Sequence, residues 1–389
     1  MGVLSARLSH RAAAMNPAIR AITMPKWGLT MTEGKVVGWL KREGERFAAG
    51  EELLEIETPK ITNVVEMPEA GTLRRIVAPA GTTLPVGALL AVVADQDVPE
   101  AEIDAFLAGF APPAPVAAEA AAEAAPAVRE IAAGAARLRI LEMGEGAAAA
   151  VVLLHGFGAG LDTWMFLQPA LATQHRTIAL DLPGHGGSTK AVGAGDPDSL
   201  AGAVEAGLAA LGAARLHLVG HSLGGAIAAL LALRWPERTA SLTLIAAAGL
   251  GREINGAFID AFLAATRRRE AAEALALLVH DPALVSRKMV EDILRYKRLD
   301  GVAAALAAIA ASWFAGGRQQ VDLTERIAGL AVPVQVIWGR EDRIIPAAHA
   351  ERLRSRFPVH ILEQSGHLPH MEKAAEVGRL LRSFIAAAA

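Results

Sequence analysis

The stretch Leu216-His217-Leu218-Val219-Gly220-His221-Ser222-Leu223-Gly224 constrains the fold of this chain more than any other. A short aliphatic strand runs into Gly-x-Ser-x-Gly, and a helical run follows from Gly225 to Trp235. Between a strand and a helix this pattern is a nucleophile elbow. The serine sits on a strained turn, and the flanking glycines remove the Cβ atoms that would clash where backbone segments close in. Such an elbow needs a buried sheet behind it, and the chain supplies the strands. Val151–Leu154 ends at His155-Gly156, and Thr177–Leu180 ends at Asp181-Leu182-Pro183-Gly184-His185-Gly186. Leu242–Ile245 and Val334–Trp338 follow the serine, with helical signals between them. Aliphatic strands alternating with helices predict a mostly parallel sheet covered on both faces. From Gly251 to about Gln320 the pattern is helical throughout, which predicts a cap inserted over the C-terminal edge of the sheet. Hydrophobic residues make up 53% and aromatics 4%, so the core has to be aliphatic.

A nucleophilic serine needs a base, and the base needs an orienting acid. With an elbow serine the chain order is Ser, then Asp or Glu, then His. Asp342 lies just past the strand ending at Trp338, and His367 follows in Ser365-Gly366-His367-Leu368-Pro369-His370. The position after the preceding strand reads Ala246-Ala247-Ala248-Gly249, without a carboxylate, which leaves Asp342 as the acid and Glu341 as a poorer neighbour. The expected oxyanion donors are the backbone N–H groups of Leu223 and of Phe157. Asp181 precedes the serine and is read as fixing its loop. His155, His185 and His221 are expected to shape the site, and His175, His217, His280, His349 and His370 to lie at the surface or in packing. The chain has no cysteine, so it forms no disulfide or thiolate metal site, and any thiol chemistry must arrive on a cofactor. It has no His-Glu-x-x-His either, so no metal centre is expected. The constellation resembles the α/β-hydrolase family over about residues 130–388.

The first quarter of the chain follows a different rule. Gly34, Gly44, Gly50, Leu53 and Ile56 recur as Gly71, Gly81, Gly87, Leu90 and Val93. Short apolar runs separated by glycines predict strands and turns, and the repeat predicts a small flattened barrel with quasi-twofold symmetry. The turn between the halves contains Glu57-Thr58-Pro59-Lys60-Ile61. Proline suits the second position of a turn, and the next residue projects outward. An Ala, Pro and Glu stretch from about Ala111 to Val128 reads as a semi-rigid extended linker. Residues 1–21 carry Arg7, Arg11 and Arg20, no acid and no sustained apolar core, so they are not a secretory signal. A transit peptide fits them. A start placed upstream of Met15 fits better, because Met15 also begins a complete first domain, and disorder is expected there. The expected domains are an extension over 1–21, a β-domain over 22–97, a linker over 98–129 and the α/β domain over 130–389. The net charge of −3 favours neither nucleic acid nor a membrane surface. The longest uncharged apolar run, Gly301–Gly317, is short for a membrane span.

The repeat with Lys60 at its central turn resembles the lipoyl domain of 2-oxo acid and acetoin dehydrogenase complexes. That resemblance implies lipoic acid in amide linkage to Lys60. Pro59 replaces the Asp of the usual Glu-Thr-Asp-Lys, and the flanking methionines of biotin carriers are absent. The usual lipoate acyltransferase motif, His-x-x-x-Asp-Gly, is missing: its Asp-Gly falls on Asp300-Gly301, with Tyr296 in place of the histidine. A lipoyl domain joined to an α/β-hydrolase domain resembles the acetyltransferase components of bacterial acetoin dehydrogenase complexes. The resemblance implies a cytoplasmic enzyme that passes an acetyl group from the lipoyl arm to coenzyme A. It also implies two partners, a thiamine-diphosphate-dependent acetoin-cleaving component and the flavoprotein dihydrolipoyl dehydrogenase. Two other readings stay open. One is a lipoyl-bearing serine hydrolase of a thioester or small ester, and the other is a non-catalytic carrier and scaffold subunit.

Overall fold

The structure, a computed structural model, describes residues 19–25, 27, 31–57, 62–67, 69–110, 127–146 and 149–388. Lys60, most of the expected 1–21 extension and residues 111–126 of the expected linker lie outside the described residues. The chain divides into two units.

In the first unit eight strands form two antiparallel four-stranded sheets. The strands are Ile19–Thr23 (β1), Glu33–Trp39 (β2), Arg46–Phe47 (β3), Glu52–Glu57 (β4), Thr62–Glu66 (β5), Gly71–Ile76 (β6), Thr83–Pro85 (β7) and Leu89–Ala94 (β8). The sheet orders are β1-β8-β6-β3 and β5-β4-β2-β7. The glycine repeat is a repeat of backbone conformation. Gly44 and Gly81 have φ of 85° and 88°, and Gly50 and Gly87 have 80° and 84°, values that suit a residue without Cβ. The halves also exchange equivalent hydrogen bonds. Gly44 N–H donates to Leu73 and Leu73 N–H to Glu45, while Gly81 N–H donates to Val36 and Val36 N–H to Thr82. Leu53, Ile56, Leu90 and Val93 are all fully buried. β4 ends at Glu57 and its sheet neighbour β5 starts at Thr62, so residues 58–61 join adjacent strands at the junction of the two repeats.

One expectation is corrected here. The linker was expected to start at residue 98, but Glu100–Gly109 is a helix of the first unit. Ile103 and Phe106, one turn apart, bury against Ile19, Val92, Ala94 and Val98. Arg74 and Arg75 meet Glu100 on its outer side.

The second unit carries an eight-stranded sheet. Its strands are Ala127–Ala133 (β9), Ala136–Met143 (β10), Ala150–Leu154 (β11), Thr177–Leu180 (β12), Leu216–His221 (β13), Thr239–Ile245 (β14), Val334–Gly339 (β15) and Val359–Leu362 (β16). The order is β16-β15-β14-β13-β11-β12-β10-β9, parallel from β12 to β16 and antiparallel at the β9–β10 edge. β9 starts within the expected linker, because its pairing with β10 supplies the hydrogen bonds that an extended segment lacks. β11 to β15 are buried along their whole length. Val152 and Leu154 face one core with helices Pro197–Ala210 and Leu223–Arg234, while Val151 and Leu153 face the other with helix Ala374–Ala387. Between β14 and β15 stands the helical insertion: Gly256–Ala264, Arg268–Ala276, Arg287–Lys297 and Val302–Trp313. The apolar run from Gly301 forms the last of these, with Val302, Leu306, Ile309 and Trp313 in the main core. Among the described residues no single helix is long and apolar enough to cross a membrane.

Candidate active site

Ser222 follows β13 with φ 51° and ψ −119°, a strained conformation for a residue with a Cβ. The surrounding glycines leave no alternative. A Cβ on Gly220 would lie 2.3 Å from the Gly224 carbonyl oxygen, and one on Gly224 would lie 2.3 Å from the Leu154 carbonyl oxygen. The turn is held from β14: Ser222 N–H donates to Ile245, and the Ser222 carbonyl accepts from Ala248. The Ser222 side chain does not cap the helix it starts, which leaves its hydroxyl for chemistry.

Asp342 follows β15 and is fixed by its own turn. Its Oδ1 accepts from the N–H groups of Ile344 and Ile345 at 2.8 and 3.0 Å. Its Oδ2 accepts from Nδ1 of His367 at 2.8 Å, with both side chains almost wholly buried. A carboxylate only accepts, so His367 carries its proton on Nδ1 and presents a lone pair at Nε2. His221 links this pair to the elbow. Its Nε2–H donates to the His367 carbonyl oxygen at 2.8 Å, and the two rings stand 4.9 Å apart. Burial, reinforced by the neighbouring His370 and His367, pushes the His221 pKa well below the ordinary imidazole value. A neutral His221 adds no repulsion when His367 takes up a proton.

Leu223 begins the helix after the serine, and Phe157 lies in the loop after β11. Neither N–H finds an acceptor among the described residues, as an oxyanion hole requires. The Phe157 ring makes edge contacts with Phe262 and Phe314 of the insertion at 5.9 and 5.8 Å, which brings the cap over this loop. Asp181 fixes its loop: it accepts from Leu161 and Gly187 N–H groups and pairs with Arg139. His155 and His185 are buried in the site loops, where burial lowers their pKa values to about 4 and about 3. His370 is fully buried between Trp164 and His221, at ring distances of 4.8 and 4.4 Å. No metal-holding cluster occurs among the described residues.

Residues 149–374 match the family model described as alpha/beta hydrolase fold, and residues 20–93 match the one described as biotin-requiring enzyme. A protein of Pseudomonas putida, the dihydrolipoyllysine-residue acetyltransferase component of an acetoin cleaving system, is 46% identical over 369 residues, 94% of this chain and 98% of the relative. The component of the same name from Cupriavidus necator is 43% identical over 374 residues, 96% of this chain and 99% of the relative. The chain belongs to this family. Both units are thus common to the family, which joins a lipoyl-type domain to an α/β-hydrolase domain. A solved meta-cleavage product hydrolase from Pseudomonas fluorescens IP01, complexed with acetates, has a TM-score of 0.61 at 26% identity and covers 67% of this chain and 98% of its own.

Two further carboxylates hold the His367 loop: Glu341, read from the sequence only as a poorer neighbour of Asp342, and Glu372, which the sequence reading missed. Glu341 accepts from the N–H of Ser365 at 2.9 Å, which makes it an anchor of the His367 loop and not a substitute acid. Glu372 accepts from three backbone N–H groups around that loop. Its signal was an acid five residues past His367, the first formal charge after the uncharged run Gln364–Met371.

Proposed function

We propose that the protein transfers acetyl groups from a lipoyl arm on Lys60 to coenzyme A, through an acyl-enzyme on Ser222. The observation that carries this reading is the buried Asp342–His367 hydrogen bond beside the elbow serine, in a chain whose other unit is of the lipoyl type. The reading of Lys60 is supported by its place in the four-residue connection between the neighbouring strands β4 and β5. Lipoate in amide linkage there would present the acetyl group as a thioester at the end of a long arm. Residues 111–126, rich in Ala and Pro, would serve as the tether that keeps the arm's effective concentration high.

In the first half-reaction His367 Nε2 takes the Ser222 proton as Oγ attacks the thioester carbonyl. The N–H groups of Leu223 and Phe157 hold the oxyanion, and His367 returns the proton to the departing thiol. In the second half-reaction His367 takes the proton of the coenzyme A thiol, whose sulfur attacks the acyl-serine. Ser222 leaves with that proton, and acetyl-CoA is the product. Asp342 holds the required tautomer throughout. The cap, seated on Phe157 through Phe262 and Phe314, is the element that keeps water from the acyl-serine.

The family's place in an acetoin cleaving system supports a thiamine-diphosphate enzyme as the acyl source and dihydrolipoyl dehydrogenase as the reoxidant, and the need for coenzyme A supports a cytoplasmic location. The test is product analysis with acetyl-dihydrolipoamide. Wild type forms acetyl-CoA only with coenzyme A present, and Ser222→Ala forms none. Acetate as the main product in the presence of coenzyme A would make the protein a hydrolase. Normal acetyl-CoA formation by Ser222→Ala would remove the covalent route.

A further inference from the structure

The loop that carries His367 is held from outside its own strand. Four successive N–H groups are each committed: Ser365 to Glu341 Oε2 at 2.9 Å, Gly366 to Glu372 Oε1 at 2.9 Å, His367 to the Leu278 carbonyl oxygen at 2.7 Å, and Leu368 to Glu372 Oε1 at 3.2 Å. Leu278 belongs to the cap, two residues past the end of its helix Arg268–Ala276. The second oxygen of Glu372 goes to the cap as well, accepting from the His280 N–H at 2.7 Å. The two segments are in direct contact. A Cβ on Gly366 would stand 2.8 Å from the backbone of Val279 and of His280. Val279, Leu368 and Met371 form a small apolar cluster of their own, joined at its rim by Leu278, Leu284 and Val285.

We propose that Glu372 is a positioning residue that ties cap residues 278–280 to the His367 loop, so that His367 is aligned on Ser222 only while the cap is seated. One carboxylate oxygen grips the catalytic loop and the other grips the cap. The His367 peptide is clasped on both sides, by Leu278 at its N–H and by His221 at its carbonyl. The consequence concerns the partition between thiol and water. A cap that lifts enough to admit bulk water also releases the Leu278 and His280 bonds, and the base goes out of line before water is activated. This proposal rests on the acyl-transfer reading above. Burial raises the Glu372 pKa, against the three N–H groups that favour its charged form.

Glu372→Gln is the test, made in the full chain with acetyl-dihydrolipoamide and coenzyme A. An amide offers one acceptor, so either the loop or the cap loses its hold, and a buried donor faces an NH2 group. The expected result is a fall in kcat of about tenfold or more with KM for coenzyme A within about twofold. The acetate to acetyl-CoA ratio rises, and hydrogen-exchange protection is lost at 278–281 and 366–368 but not at β13. Unchanged kcat and product ratio overturn the proposal, as does a uniform loss of protection across the unit. Val279→Ala loosens the same contact from the cap side and must show the same split if Glu372→Gln does not fold. If wild type makes no acetyl-CoA, the transfer reading fails on its own. The rate of fluorophosphonate labelling at Ser222 then still decides the positioning role, since it depends on His367 alignment and not on the acceptor.

Discussion

Replacing Asp342 with asparagine keeps the shape of the side chain and removes one acceptor. In the wild type Oδ1 serves the N–H groups of Ile344 and Ile345, and Oδ2 serves Nδ1–H of His367. The amide has a single oxygen and must choose between them. With that oxygen on the two backbone donors, its NH2 group faces Nδ1, which must then present a lone pair. The proton moves to Nε2, and His367 can no longer take one from Ser222. In the opposite orientation two buried N–H groups lose their acceptor, at about 1–3 kcal/mol each, or about 2–6 kcal/mol together. The first orientation therefore prevails. At about 1.4 kcal/mol per decade, the productive arrangement is reached at a cost of about 30-fold to 10⁴-fold in rate. The Ser-His-Asp template, in which this substitution costs about 10⁴-fold, lies at the upper end. Two measurements check it: the labelling rate of Ser222 by a fluorophosphonate, and kcat for acetyl-CoA formation. Both should fall together, with the KM for coenzyme A and the melting temperature little changed. Labelling within about threefold of wild type in a natively folded Asp342→Asn protein would refute the assignment of the acid, and Glu341→Gln would then be the next variant to measure.

Lys60→Arg should abolish the lipoyl adduct in intact-mass measurements and turnover in the assembled system, while transfer from free acetyl-dihydrolipoamide stays at the wild-type rate; loss of both activities would place Lys60 in the hydrolase chemistry. Gly224→Ala puts a methyl group 2.3 Å from the Leu154 carbonyl oxygen and 2.4 Å from that of His155, and should cost about 1–3 kcal/mol or more, read as a lower melting temperature of the hydrolase unit. Burial holds His155 and His217 at about 4 and His185 and His370 at about 3, below the ordinary value near 6.5 that they regain on unfolding. Below pH 6.5 the unfolded chain therefore binds protons that the native protein does not, so stability is full above that pH and declines as the pH falls toward 4. Denaturant melts between pH 7.5 and 5 check this, and a flat profile would contradict the buried neutral state of these rings.

The legible parts of this fold obey rules that act over a few residues. The elbow could be read because Gly220 and Gly224 stand where any Cβ meets a carbonyl oxygen at 2.3 Å, so the pattern is a steric requirement. The repeat could be read because Gly44, Gly50, Gly81 and Gly87 all take left-handed φ values that suit glycine. Strands β11 to β15 could be read because burial on both faces leaves predominantly aliphatic runs, interrupted only by buried polar residues such as His217, Ser241, Thr243 and Gln335. β9 and β16 are the sheet edges and β10 is the strand next to β9, and there Arg129, Glu130, Arg137, Arg139 and His360 blur such runs. The helix Glu100–Gly109 was missed because two apolar residues suffice to seat ten on a sheet already formed.

Chain order and the elbow alone singled out Ser222, His367 and Asp342, because strand ends in a parallel sheet converge on one edge. The division of labour among the three carboxylates was a tertiary matter. Asp342, Glu341 and Glu372 are chemically similar and lie within 31 residues of one another. One accepts from His367 Nδ1, one from the Ser365 N–H of the same loop, and one joins that loop to a cap segment 92 residues away in the chain. Such roles depend on which buried backbone donors lack a partner once the loops have met, and donors that meet across 92 residues leave no periodic trace in the sequence.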